Sequence, residues 1–174
     1  SLTGSGATAG TALSGYAIAT TGGKSPYTCA TSPATGSLPS GVSIASDCSL
    51  SGTPTQIGTF NFTLAVTDSS SGTGPFTQTS GTLSLIVVPQ TLTATQAVAS
   101  KTLTANSAGG TPFTPVTAAG GFGTITFALS GGTLPTGLSF DTTTGAISGT
   151  PTATLAATTF TVTATDQTTP TAQT

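Results

Sequence analysis

Residues 38–54 read LPSGVSIASDCSLSGTP and residues 134–151 read LPTGLSFDTTTGAISGTP, so the chain carries nearly the same stretch twice, about 97 residues apart. An internal repeat constrains a fold strongly, because two copies of one pattern build two copies of one unit. The match extends in both directions in the same order. LSGTPT (50–55) lies over ISGTPT (147–152), and FNFTLAVTD (60–68) over TTFTVTATD (158–166). Upstream, ATTGGKSPYTCA (19–30) lies over TAAGGFGTITFA (117–128).

Each landmark has a structural task. TLAVTD and TVTATD alternate apolar and hydroxyl side chains at period two, the pattern of a half-buried strand. The glycine pairs at 22–23 and 120–121 permit a turn with positive φ. In LPSG and LPTG the proline ends strand pairing and the glycine allows the next bend. In DTTTG an aspartate can accept hydrogen bonds from N–H groups two or three residues on. Short strands at such spacing predict an all-β protein built of two-sheet sandwiches. Phe60, Phe62 and Phe160 are the clearest core candidates, and the apolar stretch at 82–88 reads as the closing strand of the first copy.

Composition sharpens this reading. Threonine supplies 44 of 174 residues, whereas only Lys24, Lys101, Asp47, Asp68, Asp141 and Asp166 carry charge. Low charge with many β-favouring residues is the opposite of a disorder-prone composition. Two isolated lysines and a net charge of −2 give no footprint for nucleic acid or anionic lipid. No apolar run approaches 18 residues, so the sequence predicts no membrane insertion. No leader pattern occurs at Ser1. A hydroxyl-rich, nearly uncharged surface suits a secreted, extracellular setting, where O-glycosylation adds solubility.

The stretches GGKSPY (22–27), LPTGLS (134–139), DTTTGAISGTP (141–151) and FTVTATD (160–166) resemble the bacterial putative immunoglobulin-like domains, relatives of the dystroglycan-type cadherin-like domains. The resemblance covers almost the whole chain as two copies; the first departs from it at IASDCSLSGTP. It implies tandem immunoglobulin-like β-sandwiches in secreted or cell-surface proteins, with no activity of their own. The boundary is placed at Pro89–Gln90, giving domains 1–89 and 90–174, joined by a short linker that predicts limited freedom.

Cys29 and Cys48 are the only cysteines. In an exterior-type composition a disulfide is expected over two buried thiols, closing a loop of about 20 residues worth about 3 kcal/mol. Their counterparts are Phe127 and, approximately, Gly145. With no histidine, a Cys–His nucleophile is excluded within these residues. The four aspartates fall as two pairs, Asp47 with Asp68 and Asp141 with Asp166, at positions read as matched. Repetition favours turn capping. Weak calcium binding is the alternative role, since calcium prefers more oxygen ligands than one or two aspartates supply. No base accompanies any serine or threonine, so no enzyme and no further cofactor is expected. NFT (61–63) makes Asn61 an N-glycosylation acceptor that points outward if Phe60 and Phe62 point in.

The closing strand of the first copy starts 14 residues after Asp68, whereas eight residues follow Asp166. The second sandwich is therefore expected to lack its final strand and to expose an open edge. A continuation of the chain, a truncation, or a strand from another subunit would each account for it, the last giving head-to-tail self-association. Within this sequence the candidate donor is Ser1–Gly10, which also reads as the first strand of domain one. The resulting expectation is a non-catalytic structural protein of the cell surface: a subunit of an extracellular filament, or part of an adhesin or fibre stalk packed against neighbouring domains of its own chain. The alternative is a carbohydrate- or ice-binding module using outward threonines at 91–96 or 160–165.

Overall fold

The computed structural model describes residues 2–4, 6–108 and 110–168. The chain divides into two units, Ser1–Gln90 and Thr91–Thr174, one residue from the boundary read in the sequence. Every regular element among the described residues is a strand.

The first unit contains β1 (Leu2–Thr3), β2 (Gly6–Thr8), β3 (Tyr16–Ile18), β4 (Thr28–Cys29), β5 (Thr35–Gly36) and β6 (Val42–Ile44). It continues with β7 (Ser49–Gly52), β8 (Gly58–Thr63), β9 (Ala65–Thr67), β10 (Thr77–Thr79) and β11 (Leu83–Val88). One sheet has the order β1-β3-β7-β6; the others run β2-β11-β8-β5 and β10-β9-β4. The first segment of chain serves two sheets. Leu2–Thr3 pairs antiparallel with β3, whereas Gly6–Thr8 runs parallel to β11. Gly4 lies between them at φ 74°, a conformation glycine adopts without steric cost.

β11 shows how this core is made. Leu83, Leu85 and Val87 point inward with at most 5% of their surface exposed, while Ile86 and Val88 face out. On the neighbouring β8, Phe62 opposes Leu83, and Phe60 opposes Leu85. Phe62 is fully buried, but Phe60 is only half-buried, so the two expected core aromatics are unequal partners.

The second unit contains β12 (Thr93–Gln96), β13 (Val116–Ala119), β14 (Thr126–Ser130), β15 (Leu138–Phe140), β16 (Ile147–Gly149) and β17 (Thr161–Thr165). Among the described residues these form three two-stranded pairs, β12-β13, β14-β17 and β15-β16. The hairpins β6-β7 and β15-β16 are built alike. Gly52 at φ 107° and Gly149 at φ 111° pack so closely on Gly41 and Gly137 that an added Cβ would lie 2.1 Å from the facing carbonyl oxygen. That backbone approach is what the repeated SGTP requires of its glycine.

Matched hydrogen bonds fix the correspondence further. The N–H of Gly10 donates to the Pro54 carbonyl at 2.8 Å, and that of Asn106 to the Pro151 carbonyl at 2.7 Å. Both donors have positive φ, 77° and 60°. Residues 102–104 are therefore the counterpart of β2. Likewise Gly36 packs against the backbone of Asn61 and Phe62, as Gly131 does against that of Thr159 and Phe160, so Phe160 is the counterpart of Phe62. Neither 102–104 nor 156–160 belongs to a strand, although the alternating pattern predicts extension of the last strand back to residue 158.

Candidate functional site: an open groove in the second unit

The buried apolar side chains are unevenly divided. Among the described residues, Ala7, Ala9, Ile18, Cys29, Ile44, Cys48, Leu50, Phe62, Leu64, Leu83, Leu85 and Val87 form the core of the first unit. In the second unit only Ile147 and Ala164 are equally buried. Its other apolar residues line an open groove of about 580 Å³, including Val98, Leu103, Phe113, Leu129, Leu155, Phe160 and Val162. Phe160 is half-buried where Phe62 is enclosed, and Val162 is half-buried where Leu64 is enclosed. One wall of the groove is segment 102–104 and the other is 156–160, the counterparts of the two strands that flank β11 in the first unit. Lys101 stands at this groove with its ammonium 5.7 Å from the centre of the Phe113 ring, within cation–π range.

The cysteines form a disulfide, Cys29–Cys48, with a Cα–Cα distance of 5.1 Å. It joins β4 to the turn preceding β7, and thus links two different sheets. Cys48 has φ 70°, unusual for a residue with a Cβ. Its counterpart Gly145 has φ 71°, and the Phe127 ring lies where that glycine's Cβ would come within 3.1 Å. The second unit fills the disulfide's place with an aromatic ring laid on a glycine.

Asp68 and Asp166 occupy equivalent positions and do the same work. Asp68 accepts hydrogen bonds from the N–H groups of Phe76 at 2.9 Å, Lys24 at 3.2 Å and Ser70 at 3.2 Å, and from the Ser70 hydroxyl. Asp166 accepts from the N–H of Phe122 at 2.9 Å, the N–H of Thr168 at 3.1 Å and the Thr168 hydroxyl at 2.7 Å. Each carboxylate ties the end of a strand to the loop after a double glycine. A Cβ on Gly23 would lie 2.8 Å from the Asp68 carboxylate, so the repeated glycine makes room for the clamp. The Ser70 hydroxyl and the Phe76 N–H hold the Asp68 carboxyl down to about 2, because hydrogen bonds to the charged form favour it.

Asp47 and Asp141 lie in the same turn but not at the same position, which corrects the reading of four matched sites. Asp141 opens its turn, its N–H donating to the Ala146 carbonyl as that of Ala45 does to Ser49. Asp141 accepts from the N–H groups of Thr143 at 2.7 Å and Thr144 at 3.3 Å. Asp47 sits two residues further along and accepts from the Ser49 N–H at 3.0 Å and hydroxyl at 2.6 Å. These bonds lower both carboxyl pKa values, the Ser49 hydroxyl acting most on Asp47 and the Thr143 N–H on Asp141. The second turn is one residue longer, so the capping residue slides while the flanking apolar register is kept. Among the described residues no group of three or more His, Cys, Asp or Glu could hold a metal ion.

Asn61 is exposed on β8, opposite Ser84, with its neighbours turned inward. Described residues of Ser1–Gly10 already pair within the first unit, Leu2–Thr3 in one sheet and Gly6–Thr8 in another. All residues of Thr93–Gln96 are exposed, whereas Thr163 and Thr165 are half-buried within β17. Among the described residues no helix is long and apolar enough to cross a membrane.

The groove walls escape sequence reasoning: Leu103 and Leu155 stand out in no motif. The signal that finds them is the repeat itself, once the residues around Leu83, Leu85 and Val87 are transferred to the second copy.

No curated protein matches the sequence. Among solved structures, the chain is similar to a protocadherin gammaB7 EC3-6 cis-dimer, at 15% identity and TM-score 0.37, covering 84% of this chain and 40% of that one. It is also similar to mouse cadherin-23 EC22-24, at 19% identity and TM-score 0.35, covering 96% of this chain and 57% of that one. The chain thus spans less than two thirds of either. The family described as "Putative Ig domain" matches residues 1–88 and again 91–174. With two such matches spanning nearly every residue, the chain belongs to that immunoglobulin-like domain family, as two consecutive copies.

Proposed function

We propose that this protein is a non-catalytic structural component of the cell exterior, a filament subunit that assembles by accepting a strand from a neighbouring subunit. The observation that carries this reading is the groove of the second unit, whose counterpart in the first is filled by Leu83, Leu85 and Val87. An uncovered apolar trough between two unpaired backbone segments is costly in water and is a template for strand addition. Head-to-tail addition does not close on itself and yields a fibre. The disulfide, which belongs to oxidising compartments, supports an extracellular location. The chemistry of the chain supports a mechanical role, since its aspartates are engaged as turn clamps and it has no histidine.

Electron microscopy of natively purified protein tests the reading. Regular fibres with an axial repeat of one two-domain subunit are expected, and dispersed particles at all concentrations would defeat it. A glycan array and an ice-recrystallisation assay address the carbohydrate- and ice-binding alternative and are expected to be negative.

A further inference from the structure

Resting on that reading, we infer that the groove of the second unit selects its strand by size, accepting in trans an extended segment whose inward residues run large, larger, small. The first unit supplies the register. There Leu83 opposes Phe62, Leu85 opposes Phe60, and Val87 lies between Gly58 on one side and Ala7 on the other. In the second unit the same three places are faced by Phe160, Thr158, and the pair Ala156 and Leu103. The first place is unchanged. At the second, threonine replaces phenylalanine and leaves room for a bulkier side chain. At the third, leucine replaces Ala7 and takes the volume that Val87 occupies in the first unit.

The incoming strand therefore runs parallel to 102–104 and antiparallel to 156–160, as β11 does to β2 and β8. Its second inward residue is larger than leucine and its third no larger than alanine. Its outward residues are uncharged, like Ser84, because they enter a sheet face of hydroxyls and small side chains. The strand Leu83–Val88 itself is a poor fit: its valine collides with Leu103 and its central leucine underfills the space over Thr158. This mismatch keeps the closing strand of the first unit from competing for the groove of the second.

The test is titration of the intact protein with synthetic peptides, followed by calorimetry. One peptide has the sequence of Gly81–Pro89; a second carries Leu85→Phe and Val87→Ala; a control carries Leu85→Asp. The second peptide should bind one per chain and tighter than the first by roughly tenfold, the scale set by overpacking an apolar site. The control should not bind. The protein variant Leu103→Ala, at a half-exposed position, should shift the preference back toward the Val87-containing peptide. Absence of binding by every peptide would overturn the inference, as it would if residues of the same chain fill the groove. A preference that ignores Leu103→Ala would overturn it equally. Fibres formed by a protein that binds no peptide would leave the assembly reading standing and the size rule refuted. Size-selective binding by a protein that never forms fibres would uphold the rule and refute the assembly.

Discussion

Removing the disulfide offers a quantitative test, because the repeat contains its own control. Cys29 and Cys48 are 19 residues apart, so opening the bridge should cost the first unit about 3 kcal/mol through the freed loop. The residue used at position 48 also matters, since its φ of 70° is maintained with or without the bond if the turn is unchanged. A side chain with a Cβ costs about 1–2 kcal/mol in that region, and glycine offsets about 0.5 kcal/mol of this through its freer unfolded chain. The variant Cys29→Ala/Cys48→Gly should therefore be more stable than Cys29→Ala/Cys48→Ala by about 1 kcal/mol. On a domain of this size the alanine pair should lower the melting temperature by roughly 12–24 °C, with the glycine variant recovering about 5 °C. The chain has no tryptophan and both tyrosines, Tyr16 and Tyr27, lie in the first unit. Tyrosine fluorescence during guanidinium unfolding of the full chain thus reads that unit alone. Equal stability of the two variants would refute the backbone argument, and a loss under about 1 kcal/mol for the alanine pair would refute the loop-closure argument.

Three further outcomes follow from the same geometry. Asp47, Asp68 and Asp141 have folded-state pKa values below the ordinary 3.8, that of Asp68 falling to about 2. Their contribution to stability is complete above the ordinary value and disappears as pH falls toward 2, so the melting temperature should decline between pH 5 and 2 and Asp68→Asn should flatten that decline. Phe62→Ala should cost about 3–5 kcal/mol, as expected for an enclosed aromatic. Phe160→Ala, at the open groove, should cost well under half of that, and equal losses in denaturant titrations would mean that the second core is closed. Replacing EDTA with millimolar calcium should leave both transitions in place, because the carboxylates of Asp68 and Asp166 face N–H donors that a cation would have to displace; stabilisation by several degrees would show a site that these hydrogen bonds conceal.

The fold was legible because its determinants are local and doubled. A glycine needed for positive φ or close approach, as at Gly52 and Gly149, leaves its mark at the same place in each copy. So does an aspartate bonded to the backbone of a fixed loop, as at Asp68 and Asp166. Asp47 and Asp141 misled for a physical reason. A capping carboxylate can serve a turn from more than one position, and a one-residue change in turn length moves it without disturbing the flanking strands. Phe160 misled for another. Period-two alternation reports which way side chains point in an extended chain, but a strand also needs a partner to bond with. β8 has β11 and β5 on its two sides; segment 156–160 has neither among the described residues. The groove is the sum of such missing pairings, so no single residue announces it.

Hydrogen exchange of matched amides tests the central claim most directly. Exchange of paired backbone groups slows with the stability of the structure that pairs them. In purified, unassembled protein, amides of Gly58–Thr63 should be protected to near the global stability of the first unit, whereas those of 156–160 and 102–104 should exchange as open chain. In assembled protein, or with the size-matched peptide, both segments should slow together. Strong protection of 156–160 in the unassembled protein would mean that the groove is already filled, and would contradict the account.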